Sequence, residues 1–306
     1  MRAARLLLIA ALLLVGALHA RAELEHVELM TGGAAVTDPV PIVVAIHGLG
    51  DRPEAFQLLL DDLAAKARLI VPRAPTPYGT DGGGAWFEMH SGDEPMTAAV
   101  AKAAEEVAAL ISAVHAKYGG PPRAVVTGFS QGGIVTFALA AARPDLVAAA
   151  VPVAGFLPMP MWPAQRPKLR PLPRVLALHG EKDPVVPIQS AKWSIEALRS
   201  NGFDVQLRSY PDLGHTMARE VIADLHEAIV VAVTELTPKK EEAPAQASSP
   251  GVPQAAGADA SDADAAPGSV DRAADGEVPA APAPPTPAPT VRVPAPQAAE
   301  PAQASP

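Results

Sequence analysis

Residues 124–135 read Ala-Val-Val-Thr-Gly-Phe-Ser-Gln-Gly-Gly-Ile-Val, and this stretch decides the fold. Four β-prone residues at 124–127 run into Gly128-Phe129-Ser130-Gln131-Gly132, and an apolar stretch of helical character follows at 134–142. A G-x-S-x-G pentapeptide between a strand and a helix is a sharp turn that lifts the serine hydroxyl clear of a sheet edge. The glycines at 128 and 132 leave out side chains that would collide with neighbouring backbone or helix. The same turn places the Gln131 amide at a helix N-terminus, where an unpaired N–H and the helix dipole favour negative charge. Small residues recur by chance in a chain rich in alanine and glycine. The pattern therefore gains its weight from the strand–turn–helix setting.

Outward from this turn, apolar β-rich runs alternate with helical periodicity. Ile42–Ile46 (IVVAI) is a continuous apolar run of the kind found in buried parallel strands. Residues 53–66 are predicted as a helix opened by Pro53, with Phe56, Leu59, Leu60 and Leu63 on one face. A strand is predicted at 68–71. A helix follows at 97–118, with Val100, Val107, Leu110, Ile111 and Val114 as its stripe and Gly119-Gly120-Pro121 as its stop. Further strands are expected at 147–153, 174–178 and 204–209, and further helices at 188–200 and 217–236. Such alternation implies a mostly parallel sheet covered by helices on both faces. Ligands of such sheets bind beyond the C-terminal strand ends.

The expected domain spans 23–237, a length that suits one α/β core. Residues 1–22 read differently: Arg2 and Arg5, the thirteen-residue apolar run LLLIAALLLVGAL at 6–18, then Ala20-Arg21-Ala22. This is the layout of a cleavable signal peptide, and the run is too short for a hydrocarbon core of roughly 30 Å. Export to the periplasm or beyond is expected, without stable membrane insertion after cleavage. Residues 238–306 hold 15 of the chain's 35 prolines and no aromatic residue. Such a stretch buries too little apolar surface to offset its conformational entropy, so a disordered Pro/Ala-rich acidic tail is expected. The tail reads equally as a spacer that contacts the cell envelope and as a solvated appendage.

Composition excludes several classes. The net charge is −9, which argues against nucleic acid as a partner, since phosphate recognition needs a basic face. With no cysteine, disulfides, thiolate metal sites and cysteine nucleophiles are ruled out. No H-E-x-x-H or comparable ligand spacing is present, and Asp81-Gly82-Gly83-Gly84 lacks the Lys-Ser/Thr of a phosphate loop. No metal or other cofactor is expected, and the glycine run reads as a flexible loop.

A serine nucleophile needs a base and an orienting acid. Asp183 lies in His179-Gly180-Glu181-Lys182-Asp183-Pro184-Val185-Val186-Pro187, directly after the strand at 174–178. His215 lies in Asp212-Leu213-Gly214-His215, after the strand at 204–209. In this reading His215 takes the Ser130 proton, and Asp183 holds the imidazole in one tautomer and stabilises its charged form. Glu181 and Asp212 are neighbouring acids, and Asp212 stands too close in sequence to approach His215 easily. His179 reads as a packed structural histidine. The loop His47-Gly48-Leu49-Gly50-Asp51 after Ile42–Ile46 can aim the Leu49 amide at the same oxygen as the Gln131 amide, making an oxyanion hole. Trp86, Phe87, Phe156, Leu157, Met159 and Trp162 are candidate lining of an acyl pocket, while core packing is an equal reading for Phe156 and Leu157.

These segments together resemble the phospholipase/carboxylesterase family of α/β-hydrolases, which includes acyl-protein thioesterases. The matching stretches are HGLGD at 47–51, VPRAP at 71–75, AWF at 85–87, GFSQGG at 128–133, VAGFLP at 153–158, HGEKDPVVP at 179–187 and GH at 214–215. They fall in order over most of 40–218. The resemblance implies a Ser130/Asp183/His215 triad, oxyanion donors at Leu49 and Gln131, and a small-molecule or lipid ester as substrate. Glu88 after Trp-Phe and the Pro-rich segment 159–172 depart from the family pattern. An exported carboxylesterase is therefore the leading expectation, with lysophospholipid or thioester hydrolysis included. A polyester depolymerase or peptidase on the same scaffold is one rival. A non-catalytic envelope-binding protein with a hydrolase shell is the other.

Overall fold

The computed structural model describes residues 24–88, 93–169 and 171–237. The expected signal peptide and tail lie outside the described residues. In chain order the elements are β1 (His26–Thr31), β2 (Ile42–Ile46), the short helix α1 (Pro53–Phe56), β3 (Ala67–Pro72), β4 (Thr76–Tyr78), β5 (Gly83–Ala85) and α2 (Asp93–Tyr118). They continue with β6 (Ala124–Phe129), α3 (Gln131–Ala142), β7 (Val147–Val153), β8 (Arg174–Gly180), α4 (Ile188–Ser200), β9 (Asp204–Tyr210) and α5 (Arg219–Leu236).

Seven strands form one sheet in the order β1-β3-β2-β6-β7-β8-β9. Only β1 runs antiparallel to its neighbour, and every other pair is parallel. The continuous apolar strands follow from burial on both faces. Ile42, Val44 and Ile46 pack into one core layer, with α2, α3 and α4, while Val43 and Ala45 pack into the other, under α5. Helix α3 is buried on nearly every side, which explains a composition without a polar face.

Three local outcomes differ from the sequence pattern. The helix predicted at 53–66 stops at Phe56 and passes into a 3₁₀ turn at Gln57–Leu59, and Leu60 has left the helical region. Leu60 and Leu63 are still buried, because a spacing of three serves successive tight turns as well as it serves an α-helix. Strand β1 carries a half-buried pattern with little apolar periodicity. It is held to the sheet by Arg68, which is almost fully buried, pairs with Glu28 and lies 3.5 Å over the Tyr118 ring. Finally, the glycine run at 81–84 is no loose loop. Gly83–Ala85 pairs with Thr76–Tyr78 as a small antiparallel hairpin.

Candidate active site

The turn between β6 and α3 has the geometry its sequence implies. Ser130 adopts φ 54° and ψ −116°, a strained conformation for a residue with a Cβ. Its amide donates to the Val153 carbonyl at 3.0 Å, and its carbonyl accepts from the Ile134 amide at 3.0 Å. The strain is thus held between the end of β7 and the first turn of α3. Gly132 packs so tightly beneath β2 that a Cβ there would run into the Ile46 carbonyl, so only glycine fits.

The loops after β8 and β9 bring the other two side chains to this serine. His215 Nε2 lies 2.9 Å from Ser130 Oγ, and His215 Nδ1 lies 2.7 Å from Asp183 Oδ2. The other Asp183 oxygen accepts from the Val185 and Val186 amides, each at 2.8 Å. Burial by itself would push this carboxyl up. The hydrogen bond from His215 and the two amides outweigh it, and the carboxyl lies below its ordinary value. A charged Asp183 leaves the proton of Nδ1 on the imidazole and Nε2 facing the hydroxyl. The Phe129 ring, 4.8 Å from the His215 ring, packs beside it.

The two loops are zipped together by backbone. The Glu181 amide donates to the Tyr210 carbonyl and the Lys182 amide to the Leu213 carbonyl, both at 2.9 Å. Gly180 permits the approach, since a Cβ there would meet the Leu213 carbonyl. The neighbouring acids have other partners: Glu181 accepts from Ser209 Oγ at 2.6 Å, and Asp212 pairs with Lys182 at 2.7 Å. Burial holds the His179 imidazole below its ordinary value, and because the Val186 carbonyl, 2.8 Å from Nε2, can only accept, the ring proton sits on Nε2. His179 braces the turn that carries Asp183, in keeping with a packed structural histidine.

On the opposite side of Ser130 the candidates are backbone. The Leu49 and Gln131 amides make no hydrogen bond to another described residue. The Leu49 side chain is 37% exposed, which leaves its backbone as the useful part. A Cβ placed on Gly48 would lie 3.5 Å from Ser130 Cβ, so this loop borders the nucleophile. Around it lies a network that the sequence reading missed. Ala74 N–H donates to His47 Nε2 at 3.2 Å, His47 Nδ1 lies 2.8 Å from the Gly48 carbonyl, and Trp86 Nε1 donates to the His47 carbonyl at 2.9 Å. The Gln131 side chain accepts from the Trp86 amide and donates to the Phe87 carbonyl, both at 2.9 Å. A buried histidine beside a glycine-rich loop was the available signal.

Of the expected pocket residues, Trp86, Phe87 and Leu157 are almost wholly buried in the core, Met159 is exposed, and Phe156 and Trp162 are half-buried against that core. Trp162 Nε1 donates to the Leu157 carbonyl at 3.0 Å, which ties the Pro-rich segment back to the end of β7. A cleft of about 240 Å³ lies elsewhere, between the starts of β8 and β9 and helix α5, and holds none of the groups described above. Among the described residues no cluster of His, Asp or Glu could hold a metal ion, and no helix is long and apolar enough to cross a membrane.

Known proteins resemble this chain in sequence and in fold. A rice (Oryza sativa subsp. japonica) protein named probable inactive carboxylesterase is 31% identical over 193 residues, covering 57% of this chain and 78% of its own length. A second rice protein, a probable carboxylesterase, is 30% identical over 224 residues, covering 65% and 84%. The crystal structure of esterase PE8 shares the fold, with a TM-score of 0.57 over 71% of this chain and all of that one, at 23% identity. The sequence profile described as phospholipase/carboxylesterase matches residues 34–232, and the chain belongs to that family of hydrolases.

Proposed function

We propose that the protein is an exported serine carboxylesterase that works through an acyl-enzyme on Ser130. The observation that carries this reading is the continuous chain Asp183–His215–Ser130, at 2.7 and 2.9 Å, with the Gly48–Leu49 loop beside the serine. In the first half-reaction Ser130 Oγ bonds to the ester carbonyl carbon while His215 Nε2 takes the hydroxyl proton. The carbonyl oxygen becomes an oxyanion that accepts from the Leu49 and Gln131 amides. Collapse breaks the bond to the alcohol, which leaves with the proton from His215. Water then repeats the sequence on the acyl-enzyme and releases a carboxylic acid and free Ser130.

One relative carries the word inactive in its name, so the intact hydrogen-bond chain matters. Here no member of the relay is missing or turned away. The substrate is an apolar ester, with lysophospholipids and small esters preferred over thioesters. Exposed Leu49, Tyr78, Met159 and Val185 stand on the segments that follow β2, β3, β7 and β8, on the side of the sheet where Ser130 lies. The basic and apolar layout of residues 1–22 supports export.

An aryl-ester panel of increasing chain length, run beside thioesters and peptide amides, tests the reaction class. Ester turnover is expected. Cleavage of amides alone would overturn the esterase reading. Export is tested by fractionating cells that express the full chain, with recovery in the cytoplasm at full length as the contrary result.

A further inference from the structure

We infer that His47 is a positioning residue for the oxyanion donor: its imidazole holds the Gly48–Leu49 peptide in the orientation that turns the Leu49 amide toward Ser130. The inference rests on the esterase reading above. His47 is fully buried at the end of β2 and touches none of the reacting groups itself. Its ring is held between two backbone groups whose roles fix its tautomer. The Ala74 amide can only donate, so Nε2 must carry a lone pair. The proton therefore sits on Nδ1 and is donated to the Gly48 carbonyl. The Asp51 amide donates to that same carbonyl at 3.3 Å. In a planar trans peptide the C=O and the N–H point in opposite directions. Anchoring the Gly48 carbonyl on one side thus aims the Leu49 N–H out of the other.

The brace extends to the second donor. Trp86 Nε1 holds the His47 carbonyl, and the Trp86 amide is held by the Gln131 side chain, whose own backbone supplies the other N–H. Three buried side chains thereby connect both donors. A second proton on His47 would set an N–H against the Ala74 N–H, and burial pushes the imidazole below its ordinary value, which keeps the required neutral form.

Two variants separate this role from packing. His47→Gln keeps an acceptor for Ala74 and loses the donor to Gly48. His47→Asn places an amide nitrogen near the position of Nδ1 and restores that donor. With p-nitrophenyl butyrate as substrate, His47→Gln is expected to lose about 100- to 1,000-fold in kcat, the range of a lost oxyanion donor. KM should stay within about 3-fold, because the donor acts mainly in the transition state. Inhibition by butylboronic acid, whose adduct places an oxygen in the hole, should weaken in step with kcat, while inhibition by butyrate should not. His47→Asn should recover at least about 10-fold of the lost kcat. A His47→Gln enzyme with wild-type kcat, or an Asn variant no better than Gln, would overturn the inference. Nitrogen-15 NMR of the wild-type imidazoles decides the matter should the variants fail to fold: the Nδ1–H tautomer at His47 is expected at pH 7, and an Nε2–H tautomer or imidazolium there is the contrary result. A wild-type protein that hydrolyses no ester would instead sink the esterase reading, independently of the His47 tautomer.

Discussion

The two sides of Ser130 are built on different plans. On the β8–β9 side, the candidate groups are side chains: Asp183 and His215 form a hydrogen-bonded chain to Ser130. On the β2–β5 side, the candidate groups are backbone. The proposed oxyanion donors are the Leu49 and Gln131 amides, and the side chains of His47, Trp86 and Gln131 hydrogen-bond the peptides around them. Both sides rely on glycine at a close approach. Gly180 admits the Leu213 carbonyl, and Gly83 lets β5 lie against the Gly50 backbone, where a Cβ would collide. Relay residues can therefore be deleted by changing one functional group, whereas the donor side is reached only by disturbing its supports.

That contrast orders the expected effects. Asp183→Asn should be the most damaging of the supporting changes. It leaves the shape of the site and favours the wrong His215 tautomer, with a fall of about 10⁴ in kcat. A loss below about 10-fold would mean that another acid orients His215. Gly83→Ala comes next. It presses on the loop that carries Leu49, which the Gly50 amide and Gly84 carbonyl bind at 2.9 Å. A kcat loss of about 10-fold with nearly unchanged KM is expected, smaller than the roughly 10²- to 10³-fold cost of removing an oxyanion donor outright. A matching rise in KM would place the glycine in substrate binding instead.

Each side also contains one buried neutral histidine, His47 and His179, both held below their ordinary value by burial. The sign of the consequence follows. As pH falls below the ordinary value of 6.5, the unfolded chain takes up these protons before the folded one does, and stability drops. The melting temperature should fall by roughly 2–4 °C or more between pH 7.5 and 5.5. A flat or rising profile would mean that neither imidazole is kept neutral. The smallest effect belongs to Lys182→Ala, which removes the exposed pair with Asp212 that bridges the two relay loops. A surface pair of this kind contributes about 0–1 kcal/mol, so kcat should change by less than about 2-fold. A larger loss would show that the backbone zipper alone does not hold the loops.

The same contrast explains what could be read from the chain. That Ser130, Asp183 and His215 come together was legible because the pattern lies in their side chains and their order follows the strands that carry them. Ile42–Ile46 was legible because burial on both faces leaves a continuous apolar run. The helix pattern at 53–66 misled because Phe56, Leu60 and Leu63 can be buried by tight turns as well as by a helix. Gly82-Gly83-Gly84 was read as flexibility, yet what matters at Gly83 is the absence of a side chain opposite Gly50, some thirty residues earlier. His47 was quoted only as part of its loop, because a histidine's role depends on which backbone groups fall on either side of its ring. Ala74 and Gly48 come together there only in the folded chain.

The most direct measurement is labelling of the folded protein with a fluorophosphonate probe, with the modified residue located by mass spectrometry. One label is expected, on Ser130. It should vanish in Ser130→Ala, whose turnover of p-nitrophenyl butyrate should fall by about 10⁴- to 10⁶-fold at an unchanged circular dichroism spectrum. A label on another residue, or a Ser130→Ala protein with wild-type turnover, would contradict the assignment of the nucleophile.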